Sequence, residues 1–237
     1  LGSLSIQLGF CIIVKKDLRM KIFRVWIFAF LAVYSSVAQA DIFFGSGFTL
    51  VDNGTAFGNI VIAGNGGTVA SIDSVTINGF THTYIGDLFV EFRNVTTATA
   101  ITVSLASPPD NTPSNFNGNY TFSVNTAFQT IDEAAFGQGD SFNIASGSYA
   151  ISDYGGGTAN GARTNFNTMT NLAIDGTWQL RVIDFASVDT GAITSWSFNS
   201  TITAVPEPSS IALIGGTALL GGFYRFRRRK LVGVIAE

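Results

Sequence analysis

The chain has 237 residues, 46% hydrophobic and only 12% charged, with a formal net charge of −3. Its single cysteine and single histidine exclude a disulfide framework, a thiolate metal site and a two-histidine metal motif. Charge is unevenly spread: between positions 41 and 204 three arginines and no lysine stand against thirteen carboxylates, a net of −10, which repels phosphate backbones and excludes nucleic acid as a partner.

Residues 1–19, which hold Cys11, show no organising pattern and read as an N-terminal extension ahead of the true start at Met20. From Met20 the order is basic, apolar, small: Lys21 and Arg24, an apolar core over 25–34, then small residues ending Ala38-Gln39-Ala40. This is the pattern of a secretory signal peptide, 20–40, forming a short apolar helix and cut by signal peptidase at an A-x-A site defined by Ala38 and Ala40. An apolar core of about 10 residues is too short to span a bilayer stably, as a cleaved signal requires. The exported chain then starts at Asp41 and contains no thiol.

The stretch 41–204 has the length of one domain. Short runs rich in Val, Ile, Thr and Phe alternate with Gly, Asn, Ser and Asp clusters, and no stretch has a sustained 3.6-residue period. Strands are expected over 42–51, 59–63, 68–77, 83–92, 98–106, 120–124, 147–151, 176–185 and 191–204. Asp52-Asn53-Gly54 forms a turn between the first two. The alternation in 83–92 puts Tyr84, Leu88, Val90 and Phe92 on one face and Asp87, Glu91 and Arg93 on the other. One helical turn is expected at 131–135, a polar loop around Pro108-Pro109, and a flexible loop over 152–167. Trp178, Leu180 and Val182 share a face, as do Trp196, Phe198 and Ile202. Strands at this spacing with inward tryptophans argue an all-β fold, a two-sheet antiparallel sandwich of the jelly-roll kind.

The C-terminal stretch 205–237 has three parts in order. Pro206-Glu207-Pro208 stays extended, because each proline fixes φ and removes a backbone donor. An almost chargeless apolar run, 211–224, follows as a helix, and then the basic cluster Arg225, Arg227, Arg228, Arg229 and Lys230. The run is short for a permanent span, which wants roughly 20 residues, and the cluster holds its far end in the cytoplasm by the positive-inside rule. This order resembles the PEP-CTERM sorting tail. The resemblance implies transient anchoring in the inner membrane of a Gram-negative bacterium, processing by an exosortase-type transpeptidase, and delivery to the cell surface or extracellular matrix.

A second resemblance lies inside the domain. Phe80-Thr81-His82-Thr83-Tyr84-Ile85-Gly86-Asp87-Leu88, then Gly176-Thr177-Trp178-Gln179-Leu180-Arg181-Val182-Ile183-Asp184 and Asp189-Thr190-Gly191-Ala192-Ile193-Thr194-Ser195-Trp196, are similar to the P domain (P/Homo B) that follows the catalytic domain of proprotein convertases and many subtilisin-like proteases. Ile193 stands where the family pattern has Leu. The resemblance implies a non-catalytic β jelly roll in which His82, Thr83, Gly86, Asp87, Trp178, Asp184, Asp189, Gly191 and Trp196 are structural. It also implies that calcium, though not required, can bind, with Asp87, Asp184 and Asp189 as ligands; turn and hydrogen-bond roles compete for all three.

The residues permit their own readings. Gly86 within a strand marks a bulge, across which His82 and Asp87 hydrogen-bond. Each tryptophan N–H needs a partner in the core. Asp189-Thr190-Gly191 reads as a tight turn joining the last two strands into a hairpin. Tyr120, Phe142, Tyr149 and Tyr154, beside long loops, are candidates for stacking on sugars, with edge-strand packing as the competing role. A serine protease needs a nucleophile, a base and an orienting acid. The lone His82 already belongs to the domain motif, and no G-x-S-x-G elbow occurs. The expectation is an exported non-enzyme with a structural, adhesive or matrix-binding role, meeting exopolysaccharide or a surface protein. The alternative is a folding or regulatory module for a separate subtilisin-like protease.

Overall fold

The computed structural model describes residues 38–96, 100–106, 113–153 and 162–204. The signal helix, the apolar C-terminal helix, the Pro206-Glu207-Pro208 turn, the basic cluster and Tyr154 lie outside them. Among the described residues no helix is long and apolar enough to cross a membrane.

Among the described residues twelve strands account for nearly all the regular structure: β1 (Ala38–Thr49), β2 (Thr55–Ile62), β3 (Gly67–His82), β4 (Leu88–Asn94), β5 (Ile101–Ala106), β6 (Asn115–Ser123), β7 (Asn143–Ile144), β8 (Gly147–Ala150), β9 (Ser152–Asp153), β10 (Ala162–Arg163), β11 (Gly176–Asp184) and β12 (Gly191–Ala204). The one α-helix described, α1 (Ile131–Ala135), has a capping box: Thr130 Oγ1 accepts from the Glu133 N–H while Glu133 accepts from the Thr130 N–H. One sheet runs β1-β12-β3-β6-β7, with β8 also on β6; the other runs β2-β11-β4-β5; β9 and β10 form a separate ribbon. The two larger sheets meet face to face. Phe92 and Trp178 from the second stack on each other and pack against Phe198 of the first, and Phe92 also meets Trp196 edge-on. The result is an all-β sandwich whose core is the alternate residues of both inner faces.

Several expectations need correction. The sandwich is not purely antiparallel: β7 and β8 pair parallel to β6 at one edge. The run 83–92 is not one strand, because β3 continues to His82 and the chain then makes a 3-10 turn at Ile85–Asp87 before β4. Burial of Ile85 and Gly86, and the bond from Ile85 N–H to the Ser114 carbonyl, hold that turn in place. Gly86 is therefore a turn residue, and the register shifts in β3 lie elsewhere: at Asp73 and Ala70 against β12, and between Ile77 and Phe80 against β6. There Gly79 has φ +57°, and a Cβ would meet Thr194 Oγ1 at 2.3 Å, so only glycine fits. The segment after β11 is no hairpin, since β11 and β12 belong to different sheets; Asp189-Thr190-Gly191 carries the chain across the sandwich. The loop expected over 152–167 contains β9 and β10.

The two tryptophans are both core residues, but only one has the expected partner. Trp178 Nε1 donates to the Ile174 carbonyl at 2.8 Å, whereas Trp196 Nε1 has no partner among the described residues. Trp196 lies where β1 and β2 close the sandwich edge. A Cβ on Gly45 would stand 2.4 Å from its Nε1 and one on Gly58 2.8 Å, so these glycines make room for the indole.

Candidate functional site

The two motif segments that are far apart in the chain meet at one corner of the sandwich. β3 delivers His82 at its last position, where it pairs with Gly191, the first residue of β12. β11 delivers Asp184 at its end, opposite Leu88 of β4. His82 Nε2 donates to Asp184 Oδ2 at 3.2 Å, with both side chains essentially out of water. Nδ1 faces the Tyr84 backbone, 2.8 Å from the carbonyl oxygen and 3.3 Å from the N–H. Asp184 Oδ1 accepts from the Ala186 N–H, Thr83 Oγ1 donates to Asp189 Oδ1, and Phe185 N–H donates to the Asp87 carbonyl. Gly191 is fixed by contact: a Cβ there would lie 2.2 Å from the Thr81 carbonyl oxygen. His82 thus bonds Asp184, in the other sheet.

This corner is a closed clasp between the sheets. Both imidazole nitrogens are engaged and buried, which leaves no lone pair directed at solvent for general-base work. Asp184 is engaged by His82 and the Ala186 N–H, and Asp189 by Thr83. Among the described residues no group of three or more His, Cys, Asp or Glu is placed to hold a metal ion.

The candidate sugar-stacking aromatics are mostly interior. Tyr120 is fully buried, its hydroxyl donating to the Ile144 carbonyl and accepting from Asn117 N–H; Tyr149 is buried and donates to the Ala145 carbonyl. Burial raises the pKa of both phenols above the ordinary tyrosine value. Phe142 alone of the described candidates is exposed. The large exposed aromatics stand elsewhere: Phe44 on β1, Phe57 on β2, Phe136 after α1 and Phe185 after β11.

Other polar sites had no local signal in the sequence. On the second sheet Arg181 pairs with the buried Glu91 opposite it, and Arg93 donates to Gln179, which in turn donates to Asn59. Alternation predicted the face that Glu91 and Arg93 share; register alone brought Arg181 and Gln179 to them as partners. Arg163 bridges the Phe128 carbonyl and Glu133, tying β10 to the helix cap. Asp175 accepts from the N–H groups of Asn65 and Gly66, and these bonds hold its carboxyl below the usual range.

The first and last of the described residues lie on neighbouring strands. Ala38 and Ala40 are in β1, opposite Thr203 and Thr201 of β12. β12 ends at Ala204, one residue before the tail begins. The chain matches no curated protein. Residues 204–230, beginning where β12 ends and taking in Pro206, Glu207, Pro208 and the basic cluster, match the PEP-CTERM protein-sorting motif, which indicates export and sorting by an exosortase-type system.

Proposed function

We propose that the sorted domain is a non-catalytic surface module that binds the extracellular polymer matrix, released to the cell exterior when its tail is processed. The observation that carries this reading is the sorting motif attached to the last residue of β12. A folded sandwich fused to a removable tail is cargo, and its role is exercised where the tail delivers it. Two features support a binding role. The exported part has a net charge of −10, which favours solubility outside the cell. Phe44, Phe57, Phe136 and Phe185 offer exposed rings of the kind that stack on sugars. No cofactor is required in this reading. Signal peptidase removes the leader after Ala40, and anchoring in the inner membrane is transient.

The test is sedimentation of the mature protein with polymer extracted from the source cell, with calcium and then with a chelator. Saturable co-sedimentation is expected. Loss on chelation would assign calcium to the domain, with Asp87, Asp184 and Asp189 the first residues to replace. Absence of association in both conditions would overturn the matrix-binding role.

A second reading is favoured by one observation: both segments that resemble the P domain converge on the His82 clasp. The strand order β1-β12-β3-β6 facing β2-β11-β4-β5 also supports a jelly roll of that type. On this reading the domain supports the folding or regulation of a separate subtilisin-like protease, and a pull-down from the envelope fraction would recover that enzyme.

A further inference from the structure

The residues that signal cleavage removes are part of the folded sheet. Ala38 pairs with Thr203, Gln39 with Ile202 and Ala40 with Thr201. β12 is an interior strand, held on its other side by β3 through Thr201–Ser71, Ile202–Val69, Thr203–Thr68 and Ala204–Gly67. Hydrolysis of the Ala40–Asp41 bond adds the hydroxyl of water to the Ala40 carbonyl carbon and leaves the Asp41 nitrogen as a free amine. In the mature chain the first remaining rung of β1 is then Asp41–Ser200. The end of β12 loses its partner on one side and keeps it on the other. It stays extended, with its backbone donors and acceptors facing solvent.

We propose that this bared edge, residues 201–204, is a docking surface for an extended strand of the enzyme that removes the tail. The inference rests on the sorting reading above and on signal cleavage after Ala40. Three observations choose this partner. The edge runs without a break into the matched motif, which begins at 204, so an enzyme gripping the motif meets the edge next. The edge residues Thr201, Ile202, Thr203 and Ala204 carry no charge and no proline, the devices that ordinarily blunt a free strand edge; the first proline is Pro206, where pairing must stop. Ile202 is buried, and β3 holds the strand form, so the ordering cost of strand addition is already met by the fold. Signal removal thereby promotes tail removal.

The test compares two full-length chains ending at Glu237, one starting at Ala38 and one at Asp41, inserted into membrane vesicles from the source cell that carry its own processing enzyme. Amide exchange at Thr201–Thr203 is expected to be faster in the Asp41 chain, and its tail to be removed about tenfold faster, because the edge in the Ala38 chain must first open. Equal exchange would show that Ala38–Ala40 do not cover the edge, and equal rates of tail removal would show that the enzyme does not use it; either overturns the proposal. Dimers of the Asp41 chain formed through this edge, with tail removal unaltered, would overturn it in favour of a second copy. If neither chain loses its tail, the sorting reading itself fails, and the proposal with it. Exported protein whose N-terminus lies at or before Ala38 would also overturn it.

Discussion

His82 shows how much one side chain can hold in a fold with few charges. It joins the end of β3 in one sheet to the end of β11 in the other, with Asp184 buried beneath it. Replacing it with alanine removes the donor and leaves a buried carboxylate without its partner, an arrangement that costs about 3 kcal/mol. We expect His82→Ala to lower the urea midpoint accordingly, with the His82→Ala/Asp184→Ala pair losing less than the sum of the single changes. A loss below about 1 kcal/mol would place the clasp with ordinary surface pairs. Gly45 makes the opposite kind of test, since its importance lies in having no side chain. A methyl group there would collide with the Trp196 indole, so Gly45→Ala should cost about 1–3 kcal/mol by overpacking and shift the fluorescence of Trp196.

At the scale of elements, loops are held by side chains that propensity does not reveal. The loop between β2 and β3 is closed by Asp175 from just before β11, whose carboxylate accepts two loop N–H groups. Those bonds hold its folded pKa below the unfolded value near 3.9. A depressed carboxylate stabilises the folded state above the unfolded pKa and loses that effect as pH falls through the folded one. The advantage of the natural protein over Asp175→Asn, measured by thermal unfolding, should therefore be full above about pH 4 and fade with further acidification. A difference that does not change with pH would show that the charge is not what closes the loop. The short helix α1 depends on its cap: Thr130→Ala removes the acceptor for the Glu133 N–H and should cost about 1 kcal/mol, measured by equilibrium unfolding.

At the scale of the whole molecule, the fold is completed by its last strand. β12 runs between β1 and β3, paired on both sides, and contributes Trp196 and Phe198 to the core. The first and last strands of the domain are neighbours, so the sandwich cannot close until residue 204 has been exported, and such non-local pairing is slow. A chain truncated before Gly191 should fail to fold, visible as loss of near-ultraviolet circular dichroism and rapid proteolysis. The same topology sets Ala38–Ala40, at the start of β1, beside Thr201–Thr203, near the end of β12.

The sequence by itself determined the sorting tail, the β class and most strands, because these are local. A basic cluster after an apolar run and a period of two are each written within about a dozen residues. Strand β12 was read with the bounds it has, and the inward faces of β11 and β12 followed from alternation alone. The interruption at Ile85–Asp87 was not legible, because the burial of Ile85 and its bond to Ser114 come from across the chain. Nor was the partner of His82: Asp87 is near in sequence, yet register brings Asp184 beside it. Of the two roles open to Tyr120 and Tyr149, sugar stacking or packing, the tertiary structure decided for packing: parallel pairing sets β8 beside β6, and Tyr120 meets Phe80, Phe116 and Tyr149 in the core. What only the tertiary structure decided was which sheet each strand joins. That choice depends on the packing of two faces against each other, a long-range free energy that local pattern does not carry.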